Sequence, residues 1–150
     1  MTAEPGTRVL HAQGHEIAPA IAAAAACLAG GGLVAFPTET VYGLGADARN
    51  GKAVARLYAA KGRPAFNPLI AHVGSIEAAR RLGRFDAAAE KLAGAFWPGP
   101  LTLVMPKLPA CGVADLALAG LDSVAVRVPA HPVARTLLAE FGGPVVETSA

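Results

Sequence analysis

Chemically versatile side chains crowd into two short stretches of this 150-residue chain, residues 36–45 and 61–73. The first reads as a loop dense in hydroxyls and glycines, with one carboxylate, Glu39, shortly after an apolar segment. The second brings two cations, an amide and an imidazole together within a dozen positions. A packed core needs none of these groups, whereas a site that binds a small polar ligand beside a polyanion needs nearly all of them. The candidates are Thr38, Thr40, Tyr42, Lys61, Arg63, Asn67 and His72.

The basic candidates each allow two interpretations. Lys61 and Arg63 follow a helical pattern and precede Pro64, so they are either a solvated pair that stabilises the helix C-terminus or cations that face a ligand. Arg127 lies in an alternating apolar strand at residues 124–128. It lies either on an exposed face or in a pocket, where its guanidinium would bind a carboxylate or a phosphate.

The imidazole and the hydroxyls also have structural alternatives. His72 closes a buried-strand pattern, where a histidine is by default a core residue with satisfied hydrogen bonds. Thr38, Thr40 and Tyr42 are spaced by two, so their hydroxyls lie on one side if the loop is extended. They could equally be turn residues.

Composition restricts the class of protein. With 53% hydrophobic residues and a length of 150, we expect one domain that buries its own core. The net charge of +2 argues against a dedicated nucleic-acid binder but allows a local cationic pocket. Cys27 and Cys111 are isolated and lack metal-ligand spacing, which indicates reduced thiols in a cytoplasmic protein.

One uncharged segment, residues 17–36, is about as long as a membrane span. It is mostly alanine and glycine, contains Pro19 and is interrupted by three glycines at 30–32. We interpret it as a helix, a glycine stop and a buried strand, so we expect a soluble protein without a membrane partner.

Apolar runs alternate with helical patterns along the chain. The patterns predict helices at 17–29, 52–61, 76–82, 86–96 and from Pro132 to Gly142, and strands at 33–36, 69–73, 101–105, 124–128 and 144–148. This alternation is typical of an α/β layered fold around a mostly buried sheet.

Two nucleotide-binding signatures fail on inspection. Residues 45–53 resemble a P-loop, but the glycine spacing is wrong and Ala53 stands where a hydroxyl should hold magnesium. Residues 43–48 fit G-x-G-x-x-A, but they do not directly follow a predicted strand and have no acid about 20 residues later. Any ATP would therefore be held by side-chain cations.

Five strings, taken in order, closely resemble the YrdC-like family, whose core members are L-threonylcarbamoyladenylate synthases. They are residues 37–45 (Pro-Thr-Glu-Thr-Val-Tyr-Gly-Leu-Gly), Lys61-x-Arg63-Pro64, residues 67–70 (Asn-Pro-Leu-Ile), residues 97–102 (Trp-Pro-Gly-Pro-Leu-Thr) and residues 124–132 (Val-Ala-Val-Arg-x-Pro-x-His-Pro). Such an ordered set is far more specific than a lone glycine motif. The resemblance implies an α/β fold, a twisted open mixed sheet with flanking helices and a large concave cavity.

The resemblance also implies a reaction and a role for each candidate. L-threonine, carbon dioxide or bicarbonate, and ATP with Mg²⁺ would give threonylcarbamoyl-AMP and pyrophosphate for tRNA modification, with no metal bound by protein side chains. Threonine would be held by Thr40, His72, Arg127 and Ser149, and ATP by Lys61, Arg63, Asn67 and Ser123. Lys61 and Arg63 would be the catalytic cations, and Thr38 and Tyr42 would line the pocket.

The sequence departs from the family pattern at its end. The family's Ser-x-Asn element reaches only Ser149 and Ala150 here, so we expect residues 1–150 to be a single YrdC-like domain without its C-terminal segment. Two alternatives of the same fold stay open, an RNA- or tRNA-binding module and a carbamoyl-transfer domain.

Overall fold

Six strands form one mixed sheet in the computed structural model, which describes residues 6–150. The strands are β1 (Val34–Pro37), β2 (Tyr42–Asp47), β3 (Ile70–His72), β4 (Leu103–Pro106), β5 (Ser123–Arg127) and β6 (Val145–Ser149). Their order across the sheet is β1-β2-β6-β3-β5-β4. Only β3 and β5 pair in parallel, and the other neighbours are antiparallel.

Within residues 6–150, five α-helices flank this sheet. They are α1 (Ile17–Ala29), α2 (Gly51–Lys61), α3 (Ile76–Arg80), α4 (Ala87–Phe96) and α5 (Pro132–Phe141), with 3-10 turns at Gly14–Glu16 and Asp115–Leu118. Local signals define several ends: the side chains of Asn50, Ser75 and Asp86 cap the first turns of α2, α3 and α4. Gly62 and Gly142 end α2 and α5 in the left-handed conformation that glycine adopts without strain.

The two faces of the sheet differ. The covered face carries alternate apolar residues of the central strands, which pack with α2, α4 and the second 3-10 turn in the main core. The opposite face is covered by α1 and α5 only near β1, β2 and the start of β6, where Phe36 and Val145 are buried. Beyond that cover, Ser123, Ala125 and Ile70 are half-buried and Val104 is 69% exposed. We call this second side the open face.

The fold class expected from the sequence is confirmed, and the helix bounds agree to within two residues at each end. Two details differ from expectation. The sheet is less buried than expected, because the helices leave part of the open face uncovered. Residues 42–47 are not loop but β2, a central strand between β1 and β6.

Close packing explains the glycines of β2, which made this segment difficult to predict as a strand from the sequence. A Cβ atom on Gly43 would lie 2.1 Å from Oε2 of Glu147, and one on Gly45 would lie 2.7 Å from Cγ1 of Val145. Glycine is unfavourable in strands, so a propensity argument rejects this segment although the packing requires it.

Among residues 6–150, no helix combines the length and the apolar character that crossing a bilayer requires.

The covered face should dominate stability. Leu57 of α2 is fully buried in the main core, whereas Leu92 of α4 is 40% exposed. We expect Leu57→Ala to lower the free energy of unfolding by about 2–5 kcal/mol, because it removes buried methyl groups and leaves a cavity. The same substitution at Leu92 should cost about 1 kcal/mol or less. Urea unfolding followed by circular dichroism measures both, and equal losses would contradict this core assignment.

Candidate functional site

Strand register arranges the open face in three rows. Parallel pairing puts His72 and Arg127 side by side in what we call the arginine row. The middle row contains Ala125, Ile70 and Glu147, which are paired across β5, β3 and β6. Ser123 lies two residues before Ala125 on β5, and Ser149 lies two residues after Glu147 on β6. These two residues form what we call the serine row. Adjacent rows on one face are about 7 Å apart, since two residues of a strand span that length.

Arg127 is the best-anchored cation of this face. Its side chain is 8% exposed. Nε donates to the carbonyl of Gly99 at 3.3 Å, Nη1 to the hydroxyl of Thr40 at 3.3 Å, and Nη2 to a carboxylate oxygen of Glu39. A guanidinium has five N–H groups. These three bonds therefore leave one N–H on each terminal nitrogen, the arrangement that a carboxylate ligand needs for bidentate binding.

Glu39 holds this arginine in place. One oxygen pairs with Arg127, and the other accepts a hydrogen bond from the backbone N–H of Ala130 at 2.7 Å. Partial burial acts to raise the pKa of Glu39, but the Ala130 amide and the Arg127 guanidinium outweigh it, and the pKa lies below its usual 4.5. Glu39 is thus the charged partner that allows Arg127 to be buried.

The threonines before β2 form a turn. The hydroxyl of Thr38 donates to the carbonyl of Val41 at 2.6 Å and accepts from the N–H of Thr40 at 3.3 Å. The loop is therefore a turn and not extended, and of the three hydroxyls those of Thr38 and Thr40 lie together, 3.0 Å apart. Thr40 alone contacts Arg127, whereas Tyr42 alternates with Gly43 and belongs to the opposite face.

His72 and Glu147 form a buried pair between the rows. Their side chains are 1% and 7% exposed, and Nε2 of His72 lies 3.0 Å from Oε1 of Glu147. Nδ1 of His72 lies 3.0 Å from the carbonyl oxygen of Ile70. The approach of Nε2 to the carboxylate is out of line for a hydrogen bond, so within residues 6–150 neither Nε2 nor Oε2 of Glu147 has a hydrogen-bond partner. His72 is therefore not a fully satisfied core histidine.

The remaining candidates, Lys61, Arg63 and Asn67, lie between the end of α2 and the start of β3. Arg63 donates to the carbonyls of Asn67 and Pro68 and, at 3.1 Å, to the hydroxyl of Thr148, the residue before Ser149. Lys61 is exposed at the end of α2, and the Asn67 side chain is exposed in the loop before β3. Arg63 thus has a structural task, because it ties this loop to the end of β6.

The structure thereby divides the sequence-predicted residues between two ends of the open face. Thr40, His72 and Arg127 lie together at one end, and Ser123 and Ser149 lie at the other. Arg63 and Asn67 approach this second end from the covered side, where Arg63 contacts Thr148, and Lys61 ends α2 on that same side. Ser149 belongs to this second group although the sequence pattern linked it to both ligands. Thr38 and Tyr42 shape the turn beside the first end.

Two carboxylates received no role from the sequence. Glu39 stood within a recognised string, and its isolation among hydroxyls was an available signal. Glu147 offered the signal that marked Arg127, a charge within an apolar strand, but its contact with His72 arises only through the pairing of β6 with β3.

A cavity of about 540 Å³ lies elsewhere, between α3 and the end of α5. Its charged lining residues, Arg49 and Arg81, are exposed to solvent. We place the site on the open face instead, because buried charges with unused hydrogen-bonding capacity indicate a ligand more strongly than volume does. Within residues 6–150, no three His, Cys, Asp or Glu side chains cluster as metal ligands.

Comparison with known proteins relates this chain to curated enzymes. The chain is 49% identical over 133 residues to a threonylcarbamoyl-AMP synthase of Bacillus subtilis and 53% identical over 121 residues to one of Pyrococcus abyssi. These matches cover 88% and 80% of this chain but 38% and 35% of the relatives, so the chain spans little more than a third of their length.

A solved structure and a family model indicate the same relationship as these sequence matches. The crystal structure of P. abyssi Sua5 complexed with L-threonine matches with a TM-score of 0.83 and 50% identity, over 87% of this chain and 38% of that one. The Sua5_yciO_yrdC family model, described as "Telomere recombination", matches residues 26–150. The chain belongs to the Sua5/YciO/YrdC family.

Proposed function

We propose that this domain performs threonylcarbamoyl-AMP synthesis, joining L-threonine, carbon dioxide or bicarbonate, and ATP, with release of pyrophosphate. The observation that carries the proposal is Arg127, a buried guanidinium with one unused N–H on each terminal nitrogen, beside Thr40 and His72. The names of the relatives and the threonine complex of P. abyssi Sua5 support it.

Threonine would bind at the arginine row. Its carboxylate accepts the two free N–H groups of Arg127, and its side-chain hydroxyl meets Thr40 or His72. Arg127 needs no rearrangement for this, since Glu39 and the Gly99 carbonyl already fix its plane. Such preorganisation lowers the entropic cost of binding.

ATP would bind toward the serine row. Lys61 and Arg63 would face the phosphates, and Asn67, Ser123 and Ser149 would contact the nucleotide. The uncharged threonine amine adds to carbon dioxide and releases a proton to solvent, which gives a carbamate. A carbamate oxygen then attacks the α-phosphate and displaces pyrophosphate. Because the two substrates meet across the middle row, catalysis consists of positioning and of offsetting the charge that develops on phosphorus.

Mg²⁺ would enter with the nucleotide. This ion usually binds through substrate phosphates and one or two carboxylates and keeps several waters, so it needs no cage of protein ligands. Bound there, it would neutralise phosphate charge. The product would supply a threonylcarbamoyl group for adenosine in tRNA, which makes tRNA and its modification proteins the expected partners and the cytoplasm the expected location.

The first test concerns the carboxylate anchor. Arg127→Ala should weaken threonine binding by about 2–3 kcal/mol, because a charge-assisted bidentate pair is lost. Arg127→Lys should recover little, since an ammonium group cannot reproduce the planar fork. Calorimetric titration with L-threonine in the absence of RNA measures this. Arg135→Ala, which removes an exposed arginine of α5, is the matched control. Unchanged threonine affinity in folded Arg127→Ala protein would refute the assignment.

The second test concerns the division of the site. Lys61→Ala should weaken ATP binding and leave threonine binding nearly intact, because Lys61 is exposed at the nucleotide end. Thr40→Ala and His72→Ala should do the reverse. Arg63→Ala is a poorer probe, since it also frees the loop before β3. Separate titrations with each ligand decide the matter, and equal loss of both ligands in Lys61→Ala and His72→Ala would speak against two partitioned ends.

A further inference from the structure

Glu147 has an unexplained buried oxygen. Its side chain is 7% exposed, yet Oε2 has no hydrogen-bond partner among residues 6–150. A buried carboxylate oxygen without a partner is unfavourable, and native structures rarely retain one without a reason. No step described above uses this group.

The contact with His72 leaves this oxygen available. A carbonyl oxygen can only accept, so the 3.0 Å contact between Nδ1 of His72 and the Ile70 carbonyl places a ring proton on Nδ1. Nε2 of the same ring then faces Oε1 of Glu147 at 3.0 Å. The ring therefore lies against Oε1, and the other oxygen, Oε2, has no hydrogen-bond partner among residues 6–150.

Gly43 fixes where Oε2 lies. A Cβ atom at this position would come within 2.1 Å of Oε2 and 2.3 Å of the carboxyl carbon, so the carboxylate rests directly against the glycine backbone. The φ angle of Gly43 is not in the left-handed region. The side chain of Glu147, not the backbone conformation, thus accounts for glycine here.

Position on the open face indicates the ligand group. Glu147 belongs to the middle row, between Arg127 and His72 on one side and the two serines on the other. Rows are about 7 Å apart, so Glu147 lies one row from Arg127 and His72, and its Oε2 is turned toward Gly43, which pairs with Ser149 in the serine row. The other acidic side chain near Arg127, Glu39, already uses both oxygens. Arg127 and Glu147 therefore offer opposite charges that match the two charges of an amino acid zwitterion.

We propose that Glu147 binds the α-ammonium group of the amino acid substrate and so selects an α-amino acid over its deaminated analogue. The inference rests on the proposed threonine site, and it adds a specificity-determining residue to that site. The carboxylate of threonine at Arg127 and the ammonium at Oε2 fix the direction in which the amine faces the serine row.

Calorimetry with two ligands and three proteins tests this. L-threonine is compared with 3-hydroxybutyrate, which keeps the carboxylate and the hydroxyl but lacks the ammonium group. The natural chain should bind threonine much more tightly than 3-hydroxybutyrate. Glu147→Gln should weaken threonine binding about 10- to 100-fold, as expected for a hydrogen bond between charged groups, and change 3-hydroxybutyrate binding by less than about 3-fold. Glu140→Gln, which removes an exposed carboxylate of α5, should change neither.

Two outcomes distinguish failure of this inference from failure of the proposed function. If the natural chain does not bind threonine, the proposed function fails and the inference fails with it. If it binds threonine and Glu147→Gln keeps the same ratio of threonine to 3-hydroxybutyrate affinity, the inference alone is overturned.

A second variant tests the same point should Glu147→Gln fail to fold. Gly43→Ala keeps the charge of Glu147 but displaces its carboxylate, because the new methyl group occupies the position of Oε2. Threonine affinity should fall selectively, and an unchanged ratio would contradict the proposal.

Discussion

The burial of Arg127 is the constraint on which the rest of the site depends. A guanidinium inside a sheet needs a nearby anion and enough acceptors, since an unpaired buried charge costs several kcal/mol. Glu39 supplies the anion, and the carbonyl of Gly99 and the hydroxyl of Thr40 supply acceptors. The turn before β2 and the loop after α4 thus converge on one side chain. Both segments supply groups that the buried guanidinium requires. The N–H groups that they leave unused are available to a ligand.

A second constraint couples β2, β3 and β6. The carboxylate of Glu147 fills the space that a side chain at Gly43 would take, and it meets His72 on the other side. Glycine on one strand, an acid on the next and a histidine on the third form one packing unit. His72 pairs with Arg127 across β3 and β5, so a cation and an anion lie in adjacent rows of the same face.

Local signals explain what could be predicted from the sequence. The bounds of α1 are as predicted, and α5 begins at Pro132 and ends before Gly142 because proline and glycine act through their own backbone preferences. The strand β2 was missed because its glycines are required by close packing against residues about a hundred positions away in the sequence. The alternatives for Arg127 could not be decided either, since exposure depends on which loops fold over the strand end. Glu147 needed the register of β6, which no local pattern encodes.

The most direct test of the account is a crystal structure of this chain with L-threonine bound. We expect the threonine carboxylate on both terminal nitrogens of Arg127, with Glu39 still in contact, and the amine nitrogen within hydrogen-bond distance of Glu147 Oε2. Threonine bound in the cavity between α3 and α5, or on the open face with its carboxylate directed away from Arg127, would contradict it.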